Sequence, residues 1–297
     1  MNTAAVKTET PSISAWQQYL WCMRREFWEN RAIYLGPLAV AAVFLVGYFF
    51  SVVVTAHMRV PGAGHGMDTA KPITPYDIAA GLMMLTTMVI SAFYTLDALY
   101  GERRDRSVLF WKSLPVSDLT TVLAKATIPI VVLPLVGFAV GFVTQFLMLL
   151  LNSAAVAIKG GSVAELWEQI SFGRMSLLFL YHMVTGHGLW WAPLYAWMLL
   201  VSAWARRTPF LWAFLPPVVL CYLEWIALHS NHLWSWLSYR LGGGMDALTA
   251  PGTMPTHPMT HITPWRFFSS AGLWDGLIFT AICLYLAAWL RRHRDPV

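Results

Sequence analysis

Three carboxylates fall in or beside long apolar runs: Asp97, Glu224 and Asp275. An ionisable side chain in such surroundings is costly, and it marks either a pathway or a structural pair. Glu224 has apolar residues on both sides for several positions, and the candidate partners are Arg240, Arg266 or a nearby histidine. Histidines raise metal binding as a second kind of chemistry. His57, His65, His229, His232, His257 and His261 share two segments with Met58, Met67, Met245, Met254 and Met259, and such soft ligands suit copper. His229 and His232 are three apart. His257 and His261 are four apart, but Pro258 disfavours a regular helix between them. His182 and His187 are five apart and do not share an α-helical face. The reading is therefore no metal site, with His229, His232, His257 and His261 as the set a metal-handling alternative would use. No His–Glu–x–x–His and no Gly–x–Ser–x–Gly element occurs, and no nucleophile–base set emerges. Gly–Lys–Ser/Thr is also absent, so this chain is not expected to cradle ATP or to be an enzyme.

The elements that must position these groups follow from composition. The chain has 297 residues, 57% hydrophobic and 12% charged. Soluble domains carry about 25% charged residues, so a soluble enzyme or binding module is excluded, and so is disorder. The 16 Trp suit side chains placed where lipid meets water. Three scattered cysteines, Cys22, Cys221 and Cys283, do not make a disulfide framework. No signal peptide is recognisable, and the dispersed basic residues do not form a nucleic-acid surface.

A membrane-crossing helix needs about 20 apolar residues. Six runs qualify: Tyr34–Ala56, Asp77–Leu99, Thr127–Leu151, Met175–Ala203, Pro209–Leu228 and Ala271–Leu290. Fourteen of the 20 Lys and Arg lie on the side of the termini and six on the other. The positive-inside rule then places both termini in the cytoplasm. The expected fold is an all-α integral membrane protein with three parts. Residues 1–33 form a cytoplasmic N-terminus with an interfacial helix. Residues 34–290 form a six-helix domain with an outer loop at 229–270. Residues 291–297 are a cytoplasmic tail. The fourth run is too long for one straight crossing, and Gly186, Gly188 and Pro193 can bend or break it.

Ser14 followed by Gln17 fits a capping box. Trp16, Tyr19, Leu20, Met23 and Phe27 then recur at helical spacing, with Arg24, Arg25 and Glu29 mostly opposite. This pattern predicts an amphipathic helix in the membrane plane or a plain juxtamembrane anchor. The loop at 100–126 is the sizeable internal segment on the terminal side. Glu102, Arg103, Arg104, Asp105 and Arg106 are followed by apolar Val108, Leu109, Phe110 and Trp111. Leu114–Pro115 stops a helix near Ser113, and Ser117 and Asp118 can cap the next one. A short apolar helix rimmed by charge wants a partner or a lipid surface.

In this loop Glu102, Arg103, Leu109, Leu114, Pro115, Val116, Ser117 and Lys125 match, in order, the segment after the second helix of ABC-2 type transporter permeases. The chain resembles that family, departing at Arg106–Ser107, where the family more often has Gly–Thr. The resemblance implies a permease subunit of an ATP-driven exporter of an amphiphilic or apolar substrate in the inner membrane. It implies a coupling helix between helices two and three. That helix would dock on a separate ABC ATPase subunit, present in two copies, which alone would hold ATP and magnesium. Phe110 and Trp111 would be its anchors, beside Val108, Leu109, Leu114 and Pro115. Arg103, Arg104 and Arg106 would pair with acids on the ATPase or with lipid phosphates. Glu102 and Asp105 would pair with these arginines or with the N-terminal helix. A second permease chain, identical or related, would complete the transporter. The alternatives are a membrane-bound structural or regulatory protein without transport, and a metal-handling permease.

Overall fold

The computed structural model describes residues 14–57, 74–107, 116–243 and 261–293. All regular structure among these residues is helical. α1 spans Ala15–Glu29, α2 Ala32–His57, α3 Thr74–Ala98, α4 Tyr100–Arg104 and α5 Asp118–Thr127. A π-helical turn, Ile128–Val132, joins α5 to α6, Leu133–Ile158. α7 (Val163–Ile170) and α8 (Phe172–His182) follow. A second π segment, Met183–Trp190, leads to α9, Ala192–Trp204. α10 is Pro209–Leu228 and α11 is His232–Ser238, which runs into a third π turn, Tyr239–Gly243. α12 (Pro264–Phe268) and α13 (Ala271–His293) end the described chain.

Among the described residues five helical stretches are long and apolar enough to cross a membrane: Ala32–Val54, Pro75–Arg104, Asp118–Ile158, Pro209–Leu228 and Ala271–His293. The chain is therefore helical and transmembrane in character. The fourth apolar run is not one continuous helix. Its α8 section passes into the π segment, and the chain turns at Trp191 before α9. Pro193 is the reason it restarts there. Proline has no N–H to donate backwards and is accommodated in the first turn of a new helix.

α3 lies at the centre, touching α2, α6 and α9, while α9 also packs along α13. Burial concentrates on small and polar positions that allow close approach, such as Ala80, Thr87, Ser91 and Thr95 on α3. α10 is the opposite case. Its only buried residue is Ala213, and Phe214, Leu215, Val218, Tyr222 and Trp225 are exposed around it.

Prolines and glycines explain the π turn before α6. Pro134 cannot donate to the carbonyl four residues earlier, which frees Ile130 O. Gly188 meets that oxygen: a Cβ at 188 would lie 2.9 Å from it. Backbone cannot step aside as a flexible side chain would. Gly188→Ala is thus expected to destabilise the fold by about 1–3 kcal/mol. Thermal unfolding of the purified variant in detergent checks this, with Gly173→Ala, where nothing lies within 4 Å, as the neutral control.

Candidate functional site

The segment 108–115 lies outside the described residues, and with it Val108, Leu109, Phe110, Trp111, Leu114 and Pro115. Both of its flanks are described. On the far side Ser117 caps α5, its hydroxyl accepting from Thr120 N–H at 3.0 Å, and Asp118 follows in the first turn. On the near side α4 ends in a turn where Arg106 adopts φ 55°. That left-handed conformation favours glycine, and here an arginine adopts it.

The base of this loop closes on a buried charge cluster. Glu26 of α1 is 1% exposed. Lys125 of α5 donates to Glu26 Oε1 at 2.8 Å, and its Nζ lies 3.1 Å from Glu102 Oε1 of α4. Arg25 bridges the same two carboxylates, at 2.8 Å to Glu102 Oε1 and in a close pair with Glu26. Arg291, near the end of α13, pairs closely with Glu102 Oε2 and lies 3.0 Å from Asp118 Oδ1. Tyr94 of α3 donates its hydroxyl to Glu26 Oε2 at 2.8 Å. Glu26, Glu102 and Asp118 thus face Arg25, Lys125 and Arg291, and the charges at the centre of the cluster balance, while Arg25 Nε also reaches the exposed Glu29 at 3.5 Å. Helix α1 is held over α5 by this network and by Met23 and Phe27, which pack on the core around Ile33, Leu99 and Val122.

The cluster corrects several expectations. Glu102 and Arg103 are both buried, and for Arg103 this departs from the expected pairing with a partner's acids or lipid phosphates. Glu102 turns to the N-terminal helix, one of the two pairings foreseen for it. Arg103 reaches the C-terminal end of α9, where Nη2 donates to Ser202 O at 2.6 Å and Ala205 O at 2.7 Å. Ser202 Oγ in turn accepts the N–H groups of Leu99 and Tyr100, which clamps the α3–α4 junction to α9. The end of α9 leaves these carbonyls without intrahelical partners, and the one nitrogen Nη2 satisfies both. Arg104 and Asp105 are exposed and pair with each other at 2.9 Å, and Arg106 is exposed.

The aromatic stripe of α1 also splits. Met23 and Phe27 face the bundle, and the Tyr19 hydroxyl bonds Thr127. Trp16 and Leu20 are exposed, with Trp21 and Trp28. Arg25, assigned to the polar outer face, points inward because Glu26 and Glu102 wait there. Glu26 itself was missed. Between Arg25 and Phe27 it reads as one more solvated charge, and its partner Lys125 is 99 residues away. The available signal was the co-occurrence of Glu102 and Lys125 in the loop pattern.

None of the three carboxylates in or beside apolar runs is buried. Asp97 and Asp275 are exposed. Glu224 pairs with neither Arg240 nor Arg266. It accepts from Ser230 Oγ at 2.7 Å and from the N–H groups of His232 and Leu233 at 2.9 and 2.8 Å, capping α11. Its charge meets the positive end of that helix rather than a cation. His229 ends α10 in a left-handed conformation. His229, His232 and His261 are exposed, and His257 lies outside the described residues. Among the described residues no three His, Cys, Asp or Glu side chains converge on a metal-sized site.

No family model, curated protein or solved structure matches this chain.

The cluster has a defined acid response. Burial pushes the Glu26 carboxyl up, but the charges and hydrogen bonds of Lys125 and Arg25 outweigh it and hold the group below its ordinary value of 4.5. A depressed folded-state pKa stabilises the fold above the unfolded value and ceases to do so as pH falls through the folded one. Thermal stability in detergent is therefore expected to be flat with respect to Glu26 above about pH 5 and to fall below pH 4.5. Glu26→Gln flattens that acid limb.

Proposed function

We propose that this chain is the transmembrane permease subunit of an ATP-driven transporter of the ABC-2 type. It sits in the inner membrane with both termini cytoplasmic, and it exports an amphiphilic or apolar substrate. One observation carries the reading. The loop bearing the family-like pattern springs from a rigid, buried junction in which Glu102, at its entry, and Asp118 and Lys125, at its exit, are tied to α1 and α13. A push on residues 108–115 would reach the N-terminal helix α1 and the second, third and last membrane helices together, because these share the ion pairs of the junction. A solvated anchor loop has no need of such a junction. Six crossings follow if the broken path from α8 to α9 supplies the fourth. The unburied α10 would then meet lipid or a second permease copy. ATP and magnesium would belong to a partner ATPase, consistent with the missing phosphate loop.

The test is direct. Phe110→Ala with Trp111→Ala, in the chain co-expressed with its co-purifying ATPase, is expected to cut transport at least tenfold while ATP hydrolysis by the complex continues. Unchanged transport, or the absence of any ATPase that co-purifies with the wild-type chain, sinks the reading.

A further inference from the structure

Helix α1 has two faces. The inner one turns Tyr19, Met23, Glu26 and Phe27 toward the bundle. The outer one carries Leu20, Trp21, Arg24 and Trp28, with Trp21 57% and Trp28 67% exposed. Positions 21, 24 and 28 of a helix fall within about 60° of one another. The stripe that reads as apolar in the sequence is thus mostly the bundle side, and the face left outside sets an arginine between two indoles.

This face stands beside the bilayer. α1 ends at Glu29, and the first membrane-crossing stretch begins at Ala32. Trp28 is therefore only a few residues from the hydrocarbon, where indoles are favoured at headgroup level. Apolar exposure continues past it on α2, at Leu35 and Leu38, and on α5, at Leu119 and Leu123. A lipid surface covers such a belt, and water does not.

The charge of the face is unbalanced. The guanidinium carbon of Arg24 lies 5.2 Å from the centre of the Trp28 ring, and the side chain has no ion pair or hydrogen bond among the described residues. Arg31, exposed just beyond α1, has no ion pair there either. Trp21, Arg24, Arg25, Trp28 and Glu29 line an open groove of about 540 Å³. Its one carboxylate, Glu29, is matched by Arg25 at 3.5 Å. The charge of Arg24 repels a quaternary ammonium from the Trp28 ring, and its planar fork fits the oxygens of a phosphate.

We infer that the outer face of α1 is a binding site for an anionic phospholipid. Arg24 takes the phosphate, and Trp21 and Trp28 flank it at headgroup level. The site requires only that the chain crosses a bilayer. It needs no ATPase partner, and its failure would leave the transport reading untouched.

The test uses the full chain in detergent micelles, where lipid reaches every face, and native mass spectrometry to resolve lipids bound one at a time. The probes are dioleoyl phosphatidylglycerol and dioleoyl phosphatidylcholine. The first phosphatidylglycerol is expected to bind about fivefold more tightly than the first phosphatidylcholine, the factor one arginine contributes at an anionic surface. Arg24→Gln, at an exposed position without an ion pair, brings the two lipids to parity, and Arg24→Lys keeps part of the preference. Trp21→Ala with Trp28→Ala weakens the binding of both lipids. Arg206→Gln with Arg207→Gln, which removes two exposed cations elsewhere, leaves the preference intact. Equal affinity of the wild-type chain for the two lipids overturns the proposal. So does a preference that survives Arg24→Gln, or one that the Arg206 and Arg207 variant loses equally, which would mean diffuse charge and no site. A chain that turns from dimer to monomer in Trp21→Ala, Trp28→Ala with its lipid binding unchanged would overturn it in favour of a second copy on this face.

Discussion

Lys125→Met is expected to destabilise the chain by about 3–5 kcal/mol, the cost of leaving an uncompensated charge in a buried ion network. Lys125 is 3% exposed, and its ammonium touches both Glu26 and Glu102. Removing it leaves Glu26, Glu102 and Asp118 facing only Arg25 and Arg291, an excess negative charge centred on the buried carboxylates of Glu26 and Glu102. Methionine keeps the length and apolar volume of the stem, so the loss is electrostatic and not a cavity. Glu26→Gln alone leaves the opposite excess and is expected to cost about as much. The double variant Glu26→Gln, Lys125→Met restores neutrality. Its cost should fall short of the sum of the singles by about 2–3 kcal/mol, the coupling of residues within one network. Thermal or denaturant unfolding in a single detergent measures all four corners. Strict additivity would mean that the two side chains do not share an environment.

The all-helical character was legible because a bilayer imposes length and polarity, and both can be counted along the chain. The capping box at Ser14–Gln17 was equally legible, since its partners are three residues apart: Gln17 N–H donates to Ser14 Oγ at 3.2 Å and Ser14 N–H to Gln17 Oε1 at 3.2 Å. What escaped the sequence depended on long separations or on a change of helical period. Glu26 finds Lys125 across 99 residues, and Arg103 finds Ser202 across a similar distance. Charge type alone gives no sign of such pairs. Arg103 looked like a surface cation because its use, satisfying carbonyls at a helix end, has no sequence signature. The fourth run shows the partial case. Gly186, Gly188 and Pro193 marked a break, but they did not say that the chain would widen into a π segment before turning at Trp191.

Arg240 sets up the second large effect, at the opposite end of the bundle. It is 2% exposed, and its guanidinium carbon lies 4.6 Å from the centre of the Trp190 ring. Nη2 donates to Gly272 O at 2.6 Å and Nη1 to Trp190 O at 3.4 Å, while the Trp190 indole N–H donates to Arg240 O at 3.0 Å. No carboxylate lies within ion-pair distance of it among the described residues. The charge is therefore held by carbonyl dipoles and an aromatic face, which suits a delocalised, weakly hydrated guanidinium and not a compact ammonium. The conservative substitution should accordingly be the worse one. Arg240→Lys keeps the charge, loses the fork and the planar stacking, and is expected to cost about 3–5 kcal/mol. Arg240→Met gives up the cation–π and hydrogen-bond contributions but buries no charge, and about 2 kcal/mol is expected. Gly276 supplies an independent check on the same contact, because a Cβ there would stand 2.7 Å from Nη1 and 2.8 Å from Nη2. Gly276→Ala should thus be more harmful in the wild-type chain than beside Arg240→Met, where the crowding atoms are gone. A residual clash with Pro193 Cγ, 2.9 Å from that Cβ, sets the floor of the effect. Unfolding midpoints in detergent would reveal an error at once: if lysine were tolerated better than methionine, the buried cation would have an anionic partner that these contacts do not include.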